Sequence, residues 1–190
     1  MTMLTADVLS ALQMPRAHYQ IDVEWRYLEA HIAREEEVGF EMVPEYQRGH
    51  VWSRAQQVAY VEHVVLGGET AREVIAVHVG DIHSYIVSDD GQTLTLPGYS
   101  MLDGLQRITA VRSFMRDEFP VLRSVQPDGF RWSQFAPSTR RLTLRFQWRV
   151  VTVPTAADIL RLYLRINSAG TPHSEDELNK VRAMLAGREA

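Results

Sequence analysis

Apolar residues recur along this chain at two spacings, one suited to a helix and one to a strand, and the two alternate without a regular βαβ rhythm. Val8, Leu9 and Leu12 fit a short helix over residues 5–14 that Pro15 stops. Val23, Tyr27, Leu28 and Ile32 predict a second helix over 22–36, with Asp22 as N-cap and Glu35, Glu36 and Glu37 at a solvated end. A short strand is expected over 38–44 and a polar loop over 45–51. Ser53 then caps a helix over 54–66, with Val58, Val61, Val65 and Leu66 on its apolar face and Gly67-Gly68 ending it.

Residues 74–79, 85–87 and 93–96 read as a meander of short strands, with Asp90-Gly91 as a turn. One more strand, 99–102, runs through Asp103-Gly104 into a helix with Ile108, Val111 and Phe114 inward. Residues 120–137 are irregular, and Phe130, Trp132 and Phe135 are expected to pack them onto the core. A long strand over 142–153 alternates apolar residues with Arg145, Gln147 and Arg149. Two helices follow, 156–166 and 175–185, joined by a connector over 167–172; Ser174 and Glu177 fit a capping box. The fold class this implies is α+β, a small mixed sheet surrounded by helices with a C-terminal helical pair.

Composition narrows the chemistry. With 190 residues, 45% of them hydrophobic, the chain suits one domain over 1–190. It has no cysteine, which excludes disulfides, thiolate zinc sites and cysteine nucleophiles. No window resembles a signal peptide or a membrane span, so a cytoplasmic protein is expected. The net charge of -4 argues against a general nucleic-acid binder. Lys180 is the one lysine among 20 basic residues, an arginine bias that base composition of the genome explains more readily than function.

Three segments carry candidate chemistry. In Asp103-Gly104-Leu105-Gln106-Arg107 a strand enters the first turn of a helix, where unpaired N–H groups and the positive end of the helix dipole suit an anion. Gly104 lets the backbone approach a ligand, Arg107 can fork to a phosphate oxygen, and Asp103 can hold a magnesium ion. The same turn also reads as purely structural, with Asp103 as N-cap and Arg107 ion-paired. Tyr46-Gln47-Arg48, between Pro44 and Trp52, is the second segment, with Tyr46 and Trp52 also readable as packing residues. The third is Arg165-Ile166-Asn167-Ser168-Ala169-Gly170, where Arg165 and Asn167 can turn toward a ligand.

Together these segments resemble the N-terminal domain family of GmrSD-type modification-dependent restriction systems, a group within the ParB and sulfiredoxin fold superfamily. The family pattern runs Ile/Val-Pro-x-Tyr-Gln-Arg-x-x-Val-Trp, then Asp-Gly-Gln-Gln-Arg, then Arg-x-Asn-Ser/Thr-Gly-Gly, and it is matched in that order over roughly residues 22–182. The resemblance implies a ParB-like nucleotide-binding domain that binds a nucleoside triphosphate, with magnesium, and hydrolyses it, in a setting of phage defence. It places Asp103, Gly104, Gln106 and Arg107 at the phosphates, Tyr46, Gln47 and Arg48 opposite, and Arg165 and Asn167 closing the site. Asp103, Arg107 and Arg48 would be the catalytic groups.

Leu105 stands where the family has its first glutamine, which an outward-facing position tolerates, and Ala169 stands where it has a glycine. The chain reaches Ala190 without a His-Asn-His nuclease motif, so cleavage would fall to a partner protein. Sulfiredoxin chemistry is excluded because it needs a cysteine. Arg140, Arg141, Arg145 and Arg149 form the one basic concentration. The alternative class is a DNA-binding or regulatory module without turnover, acting through a partner, in which the Asp103 to Arg107 turn grips a backbone phosphate and the Arg145 to Arg149 face tracks the strand. Charge protection of an outer strand is the plainer reading of that face. His78 and His83 lack an acidic partner at metal-binding spacing. Base preference and oligomeric state are not legible.

Overall fold

Strict alternation decides the first element. In Ala17-His18-Tyr19-Gln20-Ile21-Asp22-Val23-Glu24 apolar and polar residues change places at every step, and the segment is strand β1 (Ala17–Glu24). The computed structural model describes residue 15 and residues 17–80, 86–87, 94–138, 144–167 and 175–189. The helix expected over 5–14, the turn at Asp90-Gly91, His83, Arg140, Arg141 and the connector from Ser168 through Ser174 lie outside the described residues.

The helix expected over 22–36 is therefore corrected. After β1 a single 3-10 turn, Trp25–Tyr27, leads into α1 (Leu28–Glu37). Asp22 caps nothing: it faces Gln147 across the sheet, and its carboxylate accepts a hydrogen bond from Arg145 at 3.0 Å. The helical spacing that joins Val23 to Ile32 is shared by two different elements, and pairing along a whole strand satisfies backbone groups that helix propensity alone would not hold. Glu35 is also not a solvated end. Its side chain is 12% exposed and accepts a hydrogen bond from Tyr99 Oη.

The remaining elements are α2 (Arg54–Val65), β2 (Glu73–Val79), β3 (Ile86–Val87), β4 (Leu94–Thr95), β5 (Ser100–Asp103), α3 (Leu105–Met115), β6 (Arg145–Val153), α4 (Ala156–Asn167) and α5 (Glu175–Glu189). One mixed sheet has the order β1-β6-β2-β5, with β6 and β2 parallel and both outer pairs antiparallel. The meander is not observed as such, since β2 pairs with β6 and β5, while β3 and β4 form a separate two-stranded ribbon. Nor is 38–44 a strand. It runs beside β5 through one bridge, Glu41 to Ser100, with Glu41 N–H donating to the Tyr99 carbonyl at 2.9 Å.

Helices cover both faces of the sheet. On one face Phe146, Trp148 and Val150 of β6 and Val74 and Ala76 of β2 meet Leu28 and Ile32 of α1, Val61 and Val64 of α2, and Ile108, Val111 and Phe114 of α3. The other face carries Val151 and Val153, Ile75 and Val77, against Ile159, Leu160 and Tyr163 of α4 and Val181 of α5. Each such large side chain removed from water contributes about 1.5–3 kcal/mol. The C-terminal helical pair is thus present and holds the second layer. The irregular stretch before β6 docks as expected, with Trp132 and Phe135 at 5.9 and 5.6 Å from the Phe114 ring and Phe130 bridging Val121. No described helix is long and apolar enough to cross a membrane.

Candidate functional site

The turn between β5 and α3 requires glycine. Gly104 has φ of +118°, and a Cβ there would lie 3.0 Å from Val74 Cγ2 and 3.2 Å from Val74 Cα. Its close approach is therefore to β2. As the helix N-cap it offers no side chain, so Asp103 does not cap, and the first-turn N–H groups of Leu105, Gln106 and Arg107 precede the ladder that begins with Ile108 N–H donating to the Gly104 carbonyl. Leu105 points inward, 6% exposed, rather than outward, and this apolar packing accommodates the change from glutamine.

Arg107 turns back one helical turn and donates from Nη2 to Asp103 Oδ2 at 2.6 Å. Its side chain is only 17% exposed, and its buried Nε has no hydrogen-bond partner among the described residues. A buried unsatisfied donor costs about 1–3 kcal/mol, and the residue's place in the cleft lining leaves its guanidinium as the group that could donate to an anion there. The ion-paired reading of Arg107 is observed.

Gln106 does something the sequence does not announce. Its Oε1 accepts from Val51 N–H at 2.9 Å and Trp52 N–H at 3.2 Å, while its Nε2 donates to the Gly49 carbonyl at 3.0 Å. The loop from Arg48 to Trp52 is thereby fastened to the first turn of α3. Gln47 Nε2 donates to the Met101 carbonyl at 2.9 Å, which ties the start of the loop to β5. Beneath it Tyr46 is buried, its hydroxyl donating to the same carbonyl and lying 2.9 Å from Ser100 Oγ, and burial pushes its phenol well above the ordinary range.

From the far face of the sheet, α4 presents Tyr163, Ile166 and Asn167 on one side, as helical spacing dictates. Asn167 Nδ2 donates to the Tyr163 carbonyl at 2.9 Å. The Tyr163 phenol is raised by burial, with the Arg48 charge and backbone N–H acting the other way. Arg165 is two residues from both Tyr163 and Asn167, which turns it to another side of the helix.

These parts enclose a cleft of about 240 Å³ lined by Gln47, Arg48, Trp52, Leu102, Asp103, Gly104, Leu105, Gln106, Arg107, Tyr163, Ile166 and Asn167. Of the residues singled out in sequence, Gln47, Arg48, Asp103, Gly104, Gln106, Arg107 and Asn167 come together, whereas Tyr46 and Arg165 do not line it. Trp52, for which packing is a sufficient reading in sequence, both lines the cleft and packs its ring 5.5 Å from Tyr60. Tyr163 and Ile166 have a detectable signal, the one-turn spacing to Asn167. Arg48 is held from outside by α5, Nη1 lying 3.4 Å from Glu177 Oε2.

Among the described residues Asp103 is the one carboxylate in the lining, and no group of three or more His, Cys, Asp or Glu residues suited to a metal occurs. Arg145, Gln147 and Arg149 share a sheet face as expected, yet Arg145 pairs with Asp22 at 3.0 Å and Arg149 with Glu73 at 2.5 Å. That face carries its own counter-charges. No family model, no curated protein and no solved structure matches the chain.

Proposed function

We propose that the cleft binds the phosphates of a nucleoside triphosphate and hydrolyses it, in a ParB-like nucleotide-binding domain. The observation that carries this reading is the convergence of three segments, Gln47 to Trp52, Leu102 to Arg107 and Tyr163 to Asn167, on one cleft lined by Arg107 in the first turn of α3 and by Arg48 in the loop beside it. Each charge-assisted hydrogen bond contributes about 1.5–3 kcal/mol, far more than the dipole's ~0.3–1 kcal/mol, so Arg48 and Arg107 supply most of the affinity. At about 240 Å³ the cleft is smaller than the ~300–1,000 Å³ of pockets enclosing whole drug-sized ligands, so the phosphates enter and the nucleoside lies outside.

Phosphoryl transfer needs positioning and charge stabilisation more than covalent chemistry. Arg48 and Arg107 stabilise the developing charge, and Asp103 orients water. A lone carboxylate already paired with arginine suits magnesium only as an ion delivered on the phosphates, with Asp103 contributing one oxygen to its shell. The resemblance to GmrSD-type domains supports a setting in phage defence, in which turnover in the cleft controls a nuclease. The balanced charges around Arg145 and Arg149 favour the nucleotide reading over a DNA-tracking face.

Titration with labelled ATP, GTP and CTP, each competed by inorganic triphosphate, tests the proposal. Wild type should bind and be competed, and Arg107→Ala should weaken binding about 10- to 150-fold. Equally poor binding of all three nucleotides by both proteins would overturn it.

A further inference from the structure

The cleft is walled on one side by a loop that three glutamine side chains hold by its main chain. Gln106 takes Val51 N–H, Trp52 N–H and the Gly49 carbonyl. From α2, Gln57 Nε2 donates to the Trp52 carbonyl at 3.2 Å, and Gln56 Oε1 accepts from Ser53 N–H at 2.9 Å in the capping box. The α2 contacts are local, reaching back three to five residues. Gln106 alone among the three joins the loop to the other wall, more than fifty residues away in sequence.

We propose that Gln106 is a positioning residue of the cleft, setting Arg48 and Trp52 against the Asp103 to Arg107 turn through its bonds to the loop main chain; this rests on the phosphate-binding reading above. Both acceptor positions of its Oε1 are taken by Val51 N–H and Trp52 N–H and one of its two Nε2 hydrogens by the Gly49 carbonyl, so three of the four hydrogen-bonding positions of the amide hold main chain. Arg48 immediately precedes the held residues and Trp52 is one of them. Both line the cleft. Removing the clamp would therefore weaken binding by displacing Arg48, even though the guanidinium groups of Arg48 and Arg107 are both still present.

The test uses Gln106→Met, which keeps length and bulk but none of the three bonds, and Gln106→Glu, which keeps the acceptor for Val51 and Trp52. Hydrogen exchange is read at the Val51 and Trp52 amides, alongside ATP affinity in wild type, each variant, Arg48→Ala and the Arg48→Ala/Gln106→Met pair. The Met variant should lose protection at those two amides and bind ATP about tenfold more weakly, the Glu variant should keep the protection, and the pair should bind no worse than Arg48→Ala. Unchanged protection in Gln106→Met, or fully additive losses in the pair, would overturn the inference. Wild type that binds no triphosphate would instead overturn the reading on which it rests, a result the exchange measurement leaves distinguishable.

Discussion

At the scale of single residues, two glycines of the site region separate sharply. Gly104 combines a left-handed backbone with Val74 atoms where a Cβ would go, so Gly104→Ala should cost about 2 kcal/mol or more through strain and overpacking. Gly49 has nothing within 4 Å of its Cβ position and no left-handed φ. Gly49→Ala should be neutral or stabilise by about 0.4–1 kcal/mol, because it restricts the unfolded chain. Urea denaturation of the two variants checks both, and equal effects would show that the turn has no special demand for glycine. The residue types at Arg48, Arg107 and Asn167 are legible as chemistry because guanidinium and amide groups donate to phosphate, and Asp103 because a carboxylate can hold a metal ion. Gln106 lines the cleft and also holds backbone, a role not legible in sequence because a side-chain amide serves a ligand and a neighbouring backbone equally well.

Between elements, the cleft depends on α5 without being lined by it. Lys180 Nζ donates to the Glu45 carbonyl at 2.8 Å, and Glu177 holds Arg48 at 3.4 Å, so the helix grips the loop on its outer side. Both partners of the second contact are partly exposed, and pairs of this kind contribute about 0–1 kcal/mol. A phosphate in the cleft would compete with Glu177 for the guanidinium. Glu177→Gln should therefore leave stability within about 0.5 kcal/mol of wild type and tighten triphosphate binding about two- to fivefold. Binding weakened by this change would mean that Glu177 orients Arg48 rather than competing for it. The boundary of β1 belongs to this scale too. Alternation is present in residues 17–24, but the helical run through Leu28 and Ile32 overlaps its end, and a partner strand more than a hundred residues distant settles where strand stops and helix begins.

For the whole molecule, buried titratable groups set the pH range of stability. Burial lowers His31, against an opposing effect of Glu35, and it sits 4.6 Å from the Trp148 ring with Glu35 Oε1 at 3.7 Å and Arg34 nearby in sequence. Below about pH 6.5 the unfolded histidine takes up a proton that the folded one resists, so stability falls as pH falls, by at most about 1.4 kcal/mol per pH unit. Burial raises Tyr46, Tyr60, Tyr99 and Tyr163. Above about pH 10 the unfolded tyrosines ionise first, and stability falls as pH rises. Denaturation midpoints across this range should show a plateau between the two limits, and His31→Gln should flatten the acid side. An unchanged acid slope in that variant would remove His31 from the account.

At this same scale, local and distant causes divide cleanly. The mixed helix and strand class, the Ser53 cap that starts α2, the strand-turn-helix at Asp103-Gly104, the C-terminal helical pair and the polar residue types of the three segments all follow from the order of residues alone. Those are local properties of period, capping and side-chain chemistry. The buried face of α2, by contrast, is Gln57, Tyr60, Val61 and Val64, and the expected Leu66 is exposed beyond the helix end. Folding in three dimensions was needed to settle that β6 lies between β1 and β2, that Tyr46 is buried while Trp52 reaches the cleft, and that Tyr163 and Ile166 complete the lining. It also settled that Gln106 holds backbone. Each of these turns on which distant group satisfies a strand edge, a buried hydroxyl or an amide, and such pairings leave no periodic trace along a single chain.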